Sequence, residues 1–319
     1  GAYGIGDTIS ITVTWDEAVV VSGTPTLTLS NGDTASYVSG TNSAALVFST
    51  VVAEDDTASS DLQVSSYSGT ITDAAGGAAA AVSGDLGAVI VDADDPDMTG
   101  CAATDAAYGV GELLTITCTF DEAVTVTGTP TVTLSNGDVA SYASGTTSAN
   151  IVFTTTIAQG DSTSADLAVS SIQPTAGGAT MKDAAGNAID TTVTAGDLGT
   201  VTVDGAVPVF SSVAATDGAY GVGETLSITV TWGEAVVVSG TPTLTLSNND
   251  VASYVSGSGS TALVFTTVIA ESDTASNDLS VSSFSGTITD AAGGAAGAAS
   301  GDLGAVTVDG DAPDLVSVA

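Results

Sequence analysis

Tyr220–Asn248 reads YGVGETLSITVTWGEAVVVSGTPTLTLSN, and the chain writes this stretch three times, with counterparts beginning at Tyr3 and Tyr108. The steps are 108 − 3 = 105 and 220 − 108 = 112 residues. Leu226, Ile228, Val230 and Trp232 alternate with Ser227, Thr229 and Thr231, the period of a strand with one buried face and one hydroxyl face. GETL marks a turn before this strand and GEAV its exit. Pro242 opens a second alternating run, TPTLTL, at a strand start where its missing N–H does least harm.

Each copy is large enough to bury a core of its own. The copies divide the chain into repeat one (1–96, lacking its first strand), repeat two (97–208), repeat three (209–313) and a last stretch, 314–319, matching a first strand. In the complete second copy the pattern predicts seven strands: Met98–Ala103, Glu112–Phe120, Pro130–Leu134, Val139–Ala143, Asn150–Thr156, Asp166–Ser171 and Leu198–Asp204. Gly, Thr, Ser, Val and Asp dominate, which are poor helix interiors. Seven short strands in about 105 residues with regular turn signals point to an all-β chain of three antiparallel immunoglobulin-like sandwiches. The short VDADDP, VDGAVP and VDGDAP linkers set them end to end.

The ends are complementary. Gly1 aligns with Gly218, and DLVSVA at Asp314–Ala319 aligns with Val209–Ala214. Two expectations follow: the segment is a window on a longer array, or the last strand of one molecule completes the first sandwich of the next.

One lysine, Lys182, faces 37 acidic residues, with no histidine and a formal net charge of −36. Nucleic acid and anionic membrane surfaces would be repelled, and no apolar run is long enough for a membrane span. The acidity fits either cation binding or simple solubility. General-base, nucleophile–base and phosphoryl-transfer sites lack their parts, so the chain is expected to be non-enzymatic. Cys101 and Cys118 replace Val213 and Val230 of repeat three, two apolar positions changed together in one copy. A disulfide across neighbouring strands is the simplest account, and buried free thiols the alternative.

Cation ligands are expected where the loops after strands two, four and six meet the preceding linker. At the first junction these are Asp92, Asp94, Asp95, Asp121, Glu122 and Asp183; at the second, Asp204, Glu234 and Asp290. Calcium takes 6–8 oxygens of this kind, while the absence of histidine argues against zinc or copper. The first junction, with more carboxylates, is the stronger candidate. Solvated turn aspartates are the plain alternative. Lys182 has two readings, a solvated lysine or half of an isopeptide link. Trp15, Phe120 and Trp232 share one position and read as core. Sequons for N-linked sugar are missing, although the hydroxyl faces have room for O-linked glycans.

The pattern just quoted, followed by ASYVSG, ALVFTTVIA, DLSVSS, TDAAGG and DLGAVTVDG, resembles the tandem bacterial immunoglobulin-like repeats of large secreted cell-surface proteins, calcium-dependent adhesins among them. The resemblance covers all three copies. It implies an extracellular stalk, rod or filament at the cell surface, of the kind found in biofilms, whose partner is itself. A carbohydrate- or protein-binding adhesin module is the competing function, and an aromatic-lined loop unique to one copy would mark it.

Overall fold

The structure, a computed structural model, describes residues 1–193 and 196–317. It is all-β, with one short 3-10 turn at Ala176–Gly178. The alternation seen in the sequence decides burial: Leu226, Ile228 and Val230 are fully buried and Trp232 nearly so, with Ser227 exposed between them. Three separate apolar cores result, each drawn from one repeat.

In repeat three, Thr225–Leu246 is a single long strand. Its first half pairs antiparallel with Ser260–Val268 on one edge and with Phe210–Ala215 on the other. Beyond Thr231 the register shifts, and its second half pairs with Val251–Ser256 and Ser280–Thr289. GEAV is therefore not the exit expected of it. It lies inside the strand as an irregularity, and Val236 returns to the core with no exposure. Repeat one does the same with Thr8–Leu29, pairing with Ser43–Val51, Thr34–Ser39 and Gln63–Thr72. In repeat two the corresponding run is broken into Leu113–Thr127 and Thr131–Leu134.

Other bounds also move. The sixth strand of repeat two is Val169–Gln173 and its last is Thr202–Asp204, while Thr180–Lys182 inside the long loop forms a further strand on Leu113–Thr127. Each repeat also has a short parallel pair that the alternation did not signal: Ala2–Tyr3 with Ile90–Val91, Ala107–Gly109 with Thr202–Asp204, and Gly218–Gly221 with Val306–Asp309. These pairs lie beside the YGxG loop and bring it next to the linker that leaves the repeat.

Met98–Ala103 pairs with Leu113–Thr127 so that Cys101 stands opposite Cys118, and the two are joined by a disulfide. Of the final stretch, residues 314–317 form no strand, and 318–319 lie outside the described residues. No helix among the described residues is long and apolar enough to cross a membrane.

The disulfide closes a loop of sequence separation 17, for which chain entropy gives about 3 kcal/mol. The double variant Cys101→Val/Cys118→Val, which copies repeat three, should stay folded and lose stability of about that size. Denaturant melts should show it as one destabilised transition with the others unmoved.

Candidate metal centre at the repeat junctions

Every repeat carries an aspartate that organises a tight loop: Asp73, Asp183 and Asp290. Asp290 Oδ1 accepts from the N–H groups of Ala292 and Gly294, both at 2.8 Å. Asp73 Oδ1 does the same with Ala75 and Gly77, and Asp183 Oδ1 with Gly186 and Asn187. Such local bonds fix the loop and leave the second carboxylate oxygen to point elsewhere.

At two junctions this aspartate meets other carboxylates. Asp92, Glu122 and Asp183 bring one oxygen each within 4.8 Å of one another, and so do Asp204, Glu234 and Asp290. The linker supplies the first member of each triad, the long strand the second and the loop the third. The remaining expected ligands stand apart from these triads. Asp121 Oδ1 accepts from the Asp97 N–H, Asp94 offers its backbone carbonyl, and Asp95 lines a shallow pocket with Lys182. Lys182 itself is exposed on its short strand.

The two centres differ at one residue that composition did not point to. At the first, the Asn187 side-chain amide donates to Asp183 Oδ2 at 2.7 Å, to the Asp94 carbonyl at 2.7 Å and to the Asp92 carbonyl at 3.1 Å. One donor nitrogen thus gathers three oxygens from the linker and the loop. Its Oδ1 accepts from the Ile5 N–H at 2.5 Å, tying in repeat one. At the second centre the aligned residue is Gly294. Asp290 is 4% exposed and its Oδ2 has no hydrogen-bond partner, while the Ala206 carbonyl, aligned with that of Asp94, lies 3.1 Å from where a Cβ on Gly294 would stand. The oxygens remain and the nitrogen that would satisfy them is gone. A buried carboxylate oxygen without a partner is costly, and either a proton or a cation beside it would relieve that cost.

The YGxG loop completes each junction. A Cβ on Gly4 would collide with Asn187 and Ala185, and one on Gly109 with the Ala292 backbone, so glycine permits this close approach between successive repeats. The sequence signal was present in the invariant Tyr-Gly of each copy, but it reads there simply as a turn.

Burial, followed by Asp183, Asp92, Asp121 and Asp94, pushes the Glu122 carboxyl up to about 7. Burial, Asp204 and Asp290 push Glu234 up as well. Both shifts come first from burial and then from neighbouring carboxylates, each of which disfavours the charged form.

No family model and no curated protein matches the chain. Among solved structures, a DUF4785 family protein from Legionella pneumophila subsp. pneumophila str. Philadelphia 1 is similar at 9% identity, covering 92% of this chain and 86% of that one, with a TM-score of 0.23. At that score the likeness carries no argument about fold or function.

Because Glu122 has a folded pKa above its unfolded value, its contribution to stability is present below about 4.5 and is lost as pH rises through about 7. With a chelator present, the melting temperature of the natural chain should fall more steeply across that window than that of Glu122→Gln. Equal slopes would contradict the assignment.

Proposed function

We propose that this chain is a non-enzymatic structural protein of the cell exterior, a rod of three immunoglobulin-like sandwiches set end to end and stiffened at its junctions by calcium. The observation that carries the reading is the unpartnered, buried Asp290 Oδ2 inside a triad whose members come from a linker, a strand and a loop. An occupant there ties two repeats together. The available donors are carboxylates and carbonyls, with no histidine or free thiol, which favours a hard cation with several oxygen ligands. Calcium, which accepts flexible oxygen geometry, suits loop and linker donors better than magnesium with its strict octahedron.

The ranking of the two junctions reverses under this reading. The first has more carboxylates, yet Asn187 already donates to Asp183 Oδ2 and to the Asp92 and Asp94 carbonyls, and the Glu122 carboxyl is pushed up to about 7. The second lacks the amide, and although burial, Asp204 and Asp290 raise Glu234 too, its unpartnered Asp290 Oδ2 makes it the one to take the cation. A high negative charge then has a use, since it repels neighbouring rods and concentrates divalent ions near the surface. The repetition of one unit, with an asparagine or glycine varying at a single junction position, supports a spacer more than a binder with one specialised loop.

Calorimetric titration of the natural chain with calcium should give one principal site, accompanied by a higher melting temperature and a narrower distribution of particle dimensions in small-angle scattering. Asp290→Asn keeps the Oδ1 acceptor for the loop and should abolish that site. A Gly294→Asn variant, whose Cβ would press on Asp290 Oδ2 and force that side chain to shift, should remove the response to calcium. An unchanged calcium response in Asp290→Asn would contradict the assignment.

A further inference from the structure

The short parallel pair of each repeat differs in extent among the three. In repeat two the pairing runs as far as Gly109 opposite Asp204, and in repeat three as far as Gly221 opposite Asp309. In repeat one it stops at Tyr3 opposite Val91, and the matching Gly4 and Asp92 form no such pair. The Asp92 N–H still donates to the Tyr3 carbonyl at 3.0 Å. In a parallel ladder the rung after it would run from the Ile5 N–H to the Asp92 carbonyl.

Asn187, a residue of repeat two, takes both ends of that rung. Its Oδ1 accepts from the Ile5 N–H at 2.5 Å, and its Nδ2 donates to the Asp92 carbonyl at 3.1 Å. A carboxamide carries the same donor and acceptor as a peptide unit, so the side chain is spliced into the ladder of repeat one and both backbone groups are satisfied. The same Nδ2 donates to the Asp94 carbonyl and to Asp183 Oδ2, each at 2.7 Å, which anchors it to the linker and to its own loop. Asn187 is 3% exposed, and its backbone is held by Asp183 on both sides: its N–H donates to Asp183 Oδ1 at 2.8 Å and its carbonyl accepts from the Asp183 N–H at 3.1 Å.

The second junction has no such splice. Gly294 stands at the matching position, and the ladder of repeat two closes on itself at Gly109 and Asp204. Among the described residues, no side-chain hydrogen bond passes from repeat three to repeat two. The approach of Gly109 to the Ala292 backbone is a contact of shape alone.

We propose that Asn187 is an interlock that fixes the angle between repeats one and two without a cation, so that the cation-free chain bends at its second junction and not at its first. The proposal rests on the end-to-end arrangement given above and not on its calcium. Bending the first junction pulls the amide out of the ladder and leaves the Ile5 N–H, the Asp92 carbonyl and the Asp94 carbonyl without their partner, whereas bending the second breaks no bond of this kind. Replacing Asn187 by glycine copies repeat three. It also lets the open rung of repeat one close as it does in repeat two, so the variant should fold and lose only the tie between repeats.

The experiment is pulsed electron paramagnetic resonance on the 319-residue chain, spin-labelled at cysteines placed on Val38, Ala143 and Val255, exposed residues at the same place in each repeat. Cys101 and Cys118 are bonded to each other and take no label. In chelator, the pair Val38→Cys/Ala143→Cys across the first junction should give a narrow distance distribution, and the pair Ala143→Cys/Val255→Cys across the second a broad one. Asn187→Gly should broaden the first pair to the width of the second and leave the second unmoved. Equal widths at the two junctions of the chelated natural chain, or a first pair unmoved by Asn187→Gly, would overturn the proposal. Calcium separates this from the cation reading: it should narrow the second pair alone, and a second pair that stays broad would count against the cation at Asp290 while the contrast measured in chelator stands.

Discussion

Each repeat depends on the pairing of one strand along both its edges. In repeat three, Leu226–Trp232 is held by Ser260–Val268 on one side and Phe210–Ala215 on the other, and only with both in place do Val230 and Trp232 leave water. A two-sided ladder satisfies every backbone donor of a strand whose apolar face is fully buried, and a one-sided ladder leaves both an edge and a strip of core exposed. Repeat one shows the second condition, with the same side chains at the same positions and incomplete burial.

A similar economy governs the junctions. One aspartate per repeat uses Oδ1 to shape its loop, and those of repeats two and three also join a linker aspartate in an acidic triad. What satisfies their Oδ2 differs between the copies: an asparagine amide at the first junction, and at the second nothing from the protein itself. The same geometry therefore leaves that oxygen satisfied by the protein or unsatisfied by it, according to whether residue four past the aspartate is Asn187 or Gly294. Burial, and then the neighbouring carboxylates, raise Glu122 and Glu234 above the usual carboxylate range, which couples junction stability to pH.

Much of this was legible in the sequence because it rests on long, repeated signals. Strict alternation from Leu226 to Trp232 gave the buried face, and comparison of copies brought Cys101 and Cys118 to one place. The carboxylates of both triads were within the expected set, since loops that alternate between two poles bring them together. What escaped were features carried by very few residues. Two- to four-residue parallel pairs at Ala2–Tyr3, Ala107–Gly109 and Gly218–Gly221 are too short to show a period. GEAV looked like an exit because its glycine and glutamate interrupt the alternation, yet a bulge absorbs them and the strand continues. Asn187 was invisible because an isolated polar residue in a long loop resembles any other turn former, and only its three acceptors reveal what it does.

The central claim is that a cation replaces the missing amide at the second junction. Crystals of the chain grown with calcium, and again with a lanthanide in its place, test it through the anomalous difference map. The account predicts a peak bounded by Asp204, Glu234 and Asp290, with Asp290 Oδ2 and the Ala206 carbonyl among ligands at about 2.3–2.6 Å. A map with no peak there, and a protein donor or a water satisfying Asp290 Oδ2, would contradict it.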